Sequence, residues 1–168
     1  MKGNTIIVDR YMSPCGELWL GALGDKLCLC DWGLRYHVAN RLKRHLGAEY
    51  KDGASPVIVQ AISQLKEYFA GTRRNFDIPL LFAGTDFQKT VWNELLKIPY
   101  GETVSYGWVA KSIEMPKAVR AVANANRANA ISIFTPCHRV IGSNHSLTGY
   151  AGGLHAKEYL LALERHHD

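Results

Sequence analysis

Close to the C-terminus of the 168-residue chain, Pro136-Cys137-His138-Arg139-Val140 sets a thiol beside an imidazole, directly after the apolar run Ile131-Ser132-Ile133-Phe134-Thr135. The chemistry open to that pair is nucleophilic. It is the thiolate that attacks, and a free cysteine with a pKa near ~8.5 is only slightly ionised at neutral pH, so a neighbouring base is needed to take the proton. Taken alone, a Cys-His dipeptide is more often a small buried hydrophobe with an unconnected histidine beside it. The meaning of Cys137 therefore rests on what the rest of the chain brings to it.

Two helical segments precede the pair. Apolar spacing predicts short helices over Tyr106 to Ile113 and Lys117 to Arg127, joined by Glu114-Met115-Pro116, with Pro116 suited to the first helical position. This is helix-turn-helix spacing. The second helix carries Ala118, Ala121, Ala123 and Ala125 with Arg120 among them, and such small side chains let a helix lie close against a core or a DNA groove. Between Tyr106 and Arg139 the cations Lys111, Lys117, Arg120, Arg127 and Arg139 stand against Glu114 alone, an excess able to neutralise several phosphates. A last helix, from about His155 to Arg165, turns Tyr159, Leu160 and Leu163 toward a core and carries Glu164 in its final turn, where the helix dipole disfavours an acid.

The first half of the chain has strand character. Thr5-Ile6-Ile7-Val8, Glu17-Leu18-Trp19-Leu20-Gly21-Ala22 and Leu27-Cys28-Leu29-Cys30, separated by Ser13-Pro14-Cys15-Gly16 and Gly24-Asp25-Lys26, predict an antiparallel meander. Helices over His37 to Leu46 and Pro56 to Ala70 follow, then a strand and linker over Thr72 to Leu80. A boundary falls near Gly84, after which Thr85-Asp86-Phe87-Gln88 opens a helix as a capping box, with Phe87, Val91, Leu95 and Leu96 as its apolar stripe. The expected class is α+β. A small antiparallel-sheet and helix domain over residues 1–84 precedes a mainly helical, winged-helix-like domain over 85–168 that contains the helix-turn-helix.

Composition narrows the function further. A chain that is 47% hydrophobic and 21% charged suits a globular fold, and no run is long enough to span a membrane or to serve as a signal peptide. The expectation is a cytoplasmic protein with no membrane partner. In a reducing compartment Cys15, Cys28, Cys30 and Cys137 are thiols. Zinc held by Cys15, Cys28, Cys30 and His37 would need two ligands one residue apart on a flat strand, which do not form the tight turn of zinc pairs, so no metal and no cofactor is expected. The net charge of +5 suits a polyanionic partner.

The C-terminal half resembles the O6-alkylguanine-DNA alkyltransferases. The resemblance is carried by Pro99-Tyr100-Gly101-Glu102-Thr103-Val104-Ser105-Tyr106, Pro116-Lys117-Ala118-Val119-Arg120-Ala121-Val122, Arg127-Ala128-Asn129 and Pro136-Cys137-His138-Arg139-Val140-Ile141-Gly142. Thr148-Gly149-Tyr150-Ala151-Gly152-Gly153-Leu154 and Lys157-Glu158-Tyr159-Leu160-Leu161-Ala162-Leu163-Glu164 complete it, in matching order and spacing. The N-terminal half is similar only loosely, chiefly at Ser13-Pro14-Cys15-Gly16.

That resemblance implies single-turnover repair of duplex DNA carrying O6-alkylguanine, by a monomer. Cys137 would accept the alkyl group, His138 would act as base through a water, and Glu164 would orient the imidazole. Asn129 would be the hinge tying the helix-turn-helix to the active-site segment, and Tyr106 the phenol that hydrogen-bonds guanine N3. Arg120 would fill the space of a flipped nucleotide, because a cysteine cannot reach O6 of a stacked base. Ala118, Ala121 and Ala125 would face the minor groove, flanked by Lys117 and Arg127. Tyr150, Ala151 and Gly152 would close over the base, and the Val140 carbonyl would accept from its amino group.

Some positions depart from the family pattern. Thr135 stands where an apolar residue is usual, Ala130 where proline is common, and Met115 is a poor cap for the second helix. Two other functions fit part of the pattern. A non-catalytic lesion sensor would lack the cysteine that is present here, and a cysteine hydrolase would need an acyl intermediate open to water.

Overall fold

The computed structural model describes residues 3–142 and 153–166, which fall into two compact units, Met1–Gly84 and Thr85–Asp168.

In the first unit, β1 (Asn4–Ser13), β2 (Gly16–Leu23) and β3 (Lys26–Asp31) form the expected meander. Ile6, Val8, Leu18 and Leu20 alternate along β1 and β2 with more exposed neighbours, and Leu27 to Cys30 are buried without a break. The sheet is not purely antiparallel. After α1 (Tyr36–Leu46) a fourth strand, β4 (Ala48–Asp52), adds parallel to β1 and gives the order β3-β2-β1-β4. Sequence pattern missed β4 because only Ala48 of its residues is buried, and charged Glu49, Lys51 and Asp52 mark a protected edge. The strand expected over Thr72 to Leu80 reduces to one bridge, between Leu27 and Leu80. Pro79 there accepts from the Leu27 N–H but has none to give.

Helix α2 (Pro56–Phe69) packs Val57, Ile58, Ala61, Leu65 and Tyr68 into the core of this unit. Cys28 and Cys30 are fully buried, and burial pushes the Cys28 thiol up to about 12, so it is chemically inert. No cluster of three metal-ligating side chains occurs among the described residues.

The second unit opens with α3 (Asp86–Leu95). Its capping box is complete: Gln88 N–H donates to Thr85 Oγ1 at 3.1 Å and Thr85 N–H donates to Gln88 Oε1 at 2.9 Å. Val91, Trp92 and Leu95 are its buried stripe, whereas Leu96 lies exposed past its end. A short strand β5 (Val104–Ser105) leads into α4 (Tyr106–Ser112), where Ser105 caps the helix by accepting from the Trp108 N–H at 3.0 Å. Then come α5 (Val119–Arg127), a 3-10 turn over Cys137–Arg139, β6 (Val140–Ile141) parallel to β5, and α6 (Gly153–His166).

The second helix of the helix-turn-helix begins later than its sequence suggests. Pro116 is not its first residue but the second residue of a turn closed by the Ala118 N–H on the Met115 carbonyl at 2.9 Å. Lys117 and Ala118 accordingly precede the helix, with Ala118 as its cap.

Candidate active site

Between α5 and β6 the chain is buried from Asn129 to Arg139, an unusual place for a segment whose only helical stretch is the short 3-10 turn. Backbone groups removed from water need partners, and here one side chain supplies many of them. Asn129 accepts from the Ile131 N–H at 3.0 Å and donates Nδ2 to the Thr135 carbonyl at 3.0 Å. The same Nδ2 reaches Cys137 Sγ at 3.2 Å. The loop thus curls around Asn129, with Ile133 held in the left-handed region at φ 75, a strained conformation for a β-branched residue. Thr135 is fully buried in this tight segment, and its hydroxyl has no partner among the described residues.

Past the cysteine, the 3-10 turn directs His138 and Arg139 onto α6. His138 Nε2 lies 2.7 Å from Glu164 Oε2. Arg139 donates Nε to Oε1 at 2.9 Å and Nη2 to Oε2 at 3.1 Å, while its Nη1 donates to the Ile98 carbonyl at 2.7 Å. The Gly101 N–H adds a further bond to Oε1 at 3.2 Å. Burial alone would raise the Glu164 carboxyl, but the hydrogen bonds of His138 and Arg139 and the Arg139 charge outweigh it and hold the group far below the usual carboxylate range.

His138 is 0% exposed, and burial draws its pKa below the ordinary histidine value, with Glu164 opposing only in part. The imidazole is therefore neutral at pH 7. An ionised Glu164 can only accept, which assigns the ring proton to Nε2 and leaves Nδ1 as the basic nitrogen. Nδ1 is buried and bonded to no described group.

Lys157 completes the electrostatics. It is 0% exposed, donates Nζ to the Val140 carbonyl at 2.6 Å, and is drawn down to about 8 by burial against the opposing effect of the Cys137 charge. A cation inside the same buried cluster favours the thiolate over the thiol.

Cys137, His138, Glu164 and Asn129 are thus brought together by hydrogen bonds. Tyr106, the first residue of α4, lies close enough that the Cys137 charge adds to burial in raising its phenol. On the helix-turn-helix, Arg120, Ala121, Arg127 and Lys117 are exposed and Ala118 is half-buried. Ala125 does not belong with them. It is 3% exposed and its carbonyl accepts from Trp92 Nε1 at 2.8 Å, so it packs in the core of the unit and not on a face offered to DNA. Val140 is buried with its carbonyl engaged by Lys157. Tyr150, Ala151 and Gly152 lie outside the described residues.

Three contributors escaped the sequence reading. Arg139 stood in the motif, but nothing in its spacing pointed to a carboxylate partner. Lys157 and Glu164 are seven residues apart, two turns of one helix face shared with Leu160, and that spacing could have marked Lys157 as inward. Asn126, buried at the end of α5, donates Nδ2 to the Cys137 carbonyl at 3.3 Å. Chemically the arrangement is a buried thiol with a neutral, oriented base and a neighbouring cation.

Comparison with known proteins agrees along nearly the whole chain. The model of the 6-O-methylguanine DNA methyltransferase DNA-binding domain matches residues 86–166, and that of the ribonuclease-like domain of the same enzymes matches residues 6–82. The methylated-DNA–protein-cysteine methyltransferase of Methanosarcina acetivorans is 59% identical over 157 residues, covering 92% of this chain and 95% of that protein. The crystal structure of the Mycobacterium tuberculosis O6-methylguanine methyltransferase is similar with a TM-score of 0.83 at 41% identity, over 97% of this chain and 94% of that one. The Mycobacterium tuberculosis OGT in complex with DNA is similar with a TM-score of 0.81 at 41% identity and the same coverage. With a relative this close over nearly its full length and both domain models in order, the chain belongs to the O6-methylguanine DNA methyltransferase family.

Proposed function

We propose that the alkyl group comes from O6 of guanine in duplex DNA and ends on Cys137 Sγ, with the protein acting as a cytoplasmic monomer. The reaction class is that of the family, direct repair by irreversible transfer to a cysteine of the protein itself. The observation that carries the site assignment is the joint placement of Cys137 against Asn129 at 3.2 Å and of His138 against Glu164 at 2.7 Å.

In this reading Cys137 yields its proton to Nδ1 of His138 through a bridging water. The sulfur attacks the alkyl carbon, an S–C bond forms, the C–O bond breaks, and the bonding pair leaves with the guanine. Tyr106 donates to guanine N3 and stabilises the departing base. Because the alkylated atom is inaccessible in a stacked duplex, the nucleotide is flipped out, with Arg120 entering its place and Lys117 and Arg127 on phosphates. A thioether resists hydrolysis, so each chain reacts once. A lesion sensor would need no thiol, and the buried network around Cys137 has no purpose in that reading.

The test is to mix the protein with a duplex carrying O6-methylguanine and measure intact mass. One methyl group per chain on the Cys137 peptide, absent from Cys137→Ala, is the expected result. Binding without an adduct would leave the sensor, and repeated turnover would favour a hydrolase.

A further inference from the structure

More than half of the net charge of +5 lies outside the unit that carries the helix-turn-helix, since residues 1–84 hold 11 Lys and Arg against 8 Asp and Glu. Helix α1 concentrates it. That helix contains Arg41, Lys43 and Arg44 and no acidic residue, and while Val38 and Leu42 are buried, His37, Asn40, Arg41 and Arg44 recur at helical spacing along another face. With Lys43 they line a surface cavity of about 610 Å³.

Acidic neighbours offset these cations only in part. Arg41 is half-buried with its Nε fixed on the Ala83 carbonyl at 3.0 Å, and burial and the Arg35 charge draw its pKa below the ordinary arginine value against the opposing effect of Asp31. Asp31 is already engaged, with Oδ2 accepting from Arg35 Nε at 2.7 Å and Oδ1 from the Trp32 N–H at 2.8 Å. The pair of Lys43 with Glu49, at 3.0 Å, lies at the surface and is readily exchanged for another anion. A basic last turn suits the helix dipole, which accounts for Lys43 and Arg44 but not for Arg41 before it. An anion in the cavity accounts for all three.

We propose that this face of α1 binds the sugar-phosphate backbone of duplex DNA, with Arg41, Lys43, Arg44 and Asn40 as donors, as a site on the first unit in addition to the helix-turn-helix. The donor set is that of phosphate contacts, which come from Arg, Lys and amide side chains. Its reach fits as well. From His37 to Arg44 the helix advances about 10 Å, and a strand of duplex presents a phosphate every ~3.4 Å along its axis, so about three phosphates can meet three cations. No apolar side chain lines the cavity, so an acidic protein segment would find no pocket for an anchoring side chain, whereas a phosphate backbone needs none.

Such binding needs no lesion and no alkyl transfer, so it is measured with the full chain on an unmodified duplex, as affinity across a series of salt concentrations. Lys43→Gln combined with Arg44→Gln is expected to lower the slope of log affinity against log salt by about 2, and affinity at about 0.1 M salt by about tenfold. Arg44→Gln alone, at an exposed position that guards against a folding defect, is expected to lower the slope by about 1. Lys26→Gln combined with Lys66→Gln removes the same charge from exposed positions elsewhere in the unit and should leave the slope within about 0.5 of the unmodified protein. An unchanged slope in both α1 variants, or an equal fall in the Lys26 and Lys66 variant, would overturn the proposal. So would loss of binding to polyglutamate with duplex binding intact, which would assign the face to an acidic protein segment.

Discussion

Arg139 grips both oxygens of Glu164, with Nε 2.9 Å from Oε1 and Nη2 3.1 Å from Oε2. Together with the His138 hydrogen bond, this fork keeps the carboxylate ionised, and an ionised carboxylate cannot take the imidazole proton that it orients. His138 therefore has one tautomer, with Nδ1 as its basic nitrogen, bonded to no described group. Arg139→Met would leave a buried carboxylate without its counter-charge, a loss of about 3–5 kcal/mol for a broken buried pair. Chemical denaturation of the two proteins measures it. A difference under about 1 kcal/mol would show that His138 and the Gly101 N–H suffice to hold Glu164.

Stability should fall on the acid side of neutrality. The native pKa values of His138 and Glu164 both lie below their unfolded values, so the unfolded chain binds more protons as pH falls below about 6.5 and then about 4.3. Stability that is fully present above those values is lost on acidification, by up to about 1.4 kcal/mol per pH unit per group. Urea midpoints across pH 7 to 4 are expected to follow this course. His138→Gln should flatten the upper part of the decline, and an unaltered slope in that variant would place the acid sensitivity elsewhere.

Lys157 tests the electrostatic support of the thiolate. Lys157→Met keeps the length and apolar stem of the side chain but removes the buried cation. The Cys137 thiol should then titrate at higher pH, with about a tenfold loss of rate below its pKa for each unit of rise. Alkylation of Cys137 by iodoacetamide as a function of pH reads this directly. A curve superimposable on that of the unmodified protein would mean that the cation serves only the Val140 carbonyl.

Arg120 is exposed on α5. If it fills the gap left by a flipped nucleotide, Arg120→Ala should slow repair of a duplex by about tenfold or more and leave reaction with free O6-alkylguanine base nearly unchanged. Equal losses on the two substrates would remove it from that role.

Much of this arrangement was legible in the residues because strong local signals coincide with it. The capping box at Thr85, the turn at Ser13 to Gly16 and the Ser105 cap of α4 all follow from side chains acting on their own backbone. The parallel strand β4 was not legible, since an edge strand with one buried residue shows no alternation. Nor was the start of α5, where a proline served a turn as readily as a helix. Ala125 and Ala121 look alike in a list of small residues, and only Trp92, thirty-three positions from Ala125 along the chain, decides which of them is core. The polar network was half legible. Cys137, His138 and Glu164 could be named, but Arg139, Lys157 and Asn126 acquire their roles from partners that folding alone brings near.

The bond from Asn129 to the sulfur has an aftermath. In the proposed reaction Cys137 acquires an alkyl group, and its sulfur becomes a neutral thioether, a poor acceptor with an added carbon competing for the space beside the amide 3.2 Å away. That amide also fastens Thr135 and Ile131, so the imprint of the reaction spreads into the loop that held the nucleophile. A spent chain is then structurally legible from a fresh one, a record of the lesion kept in the protein after the DNA has lost every trace of it.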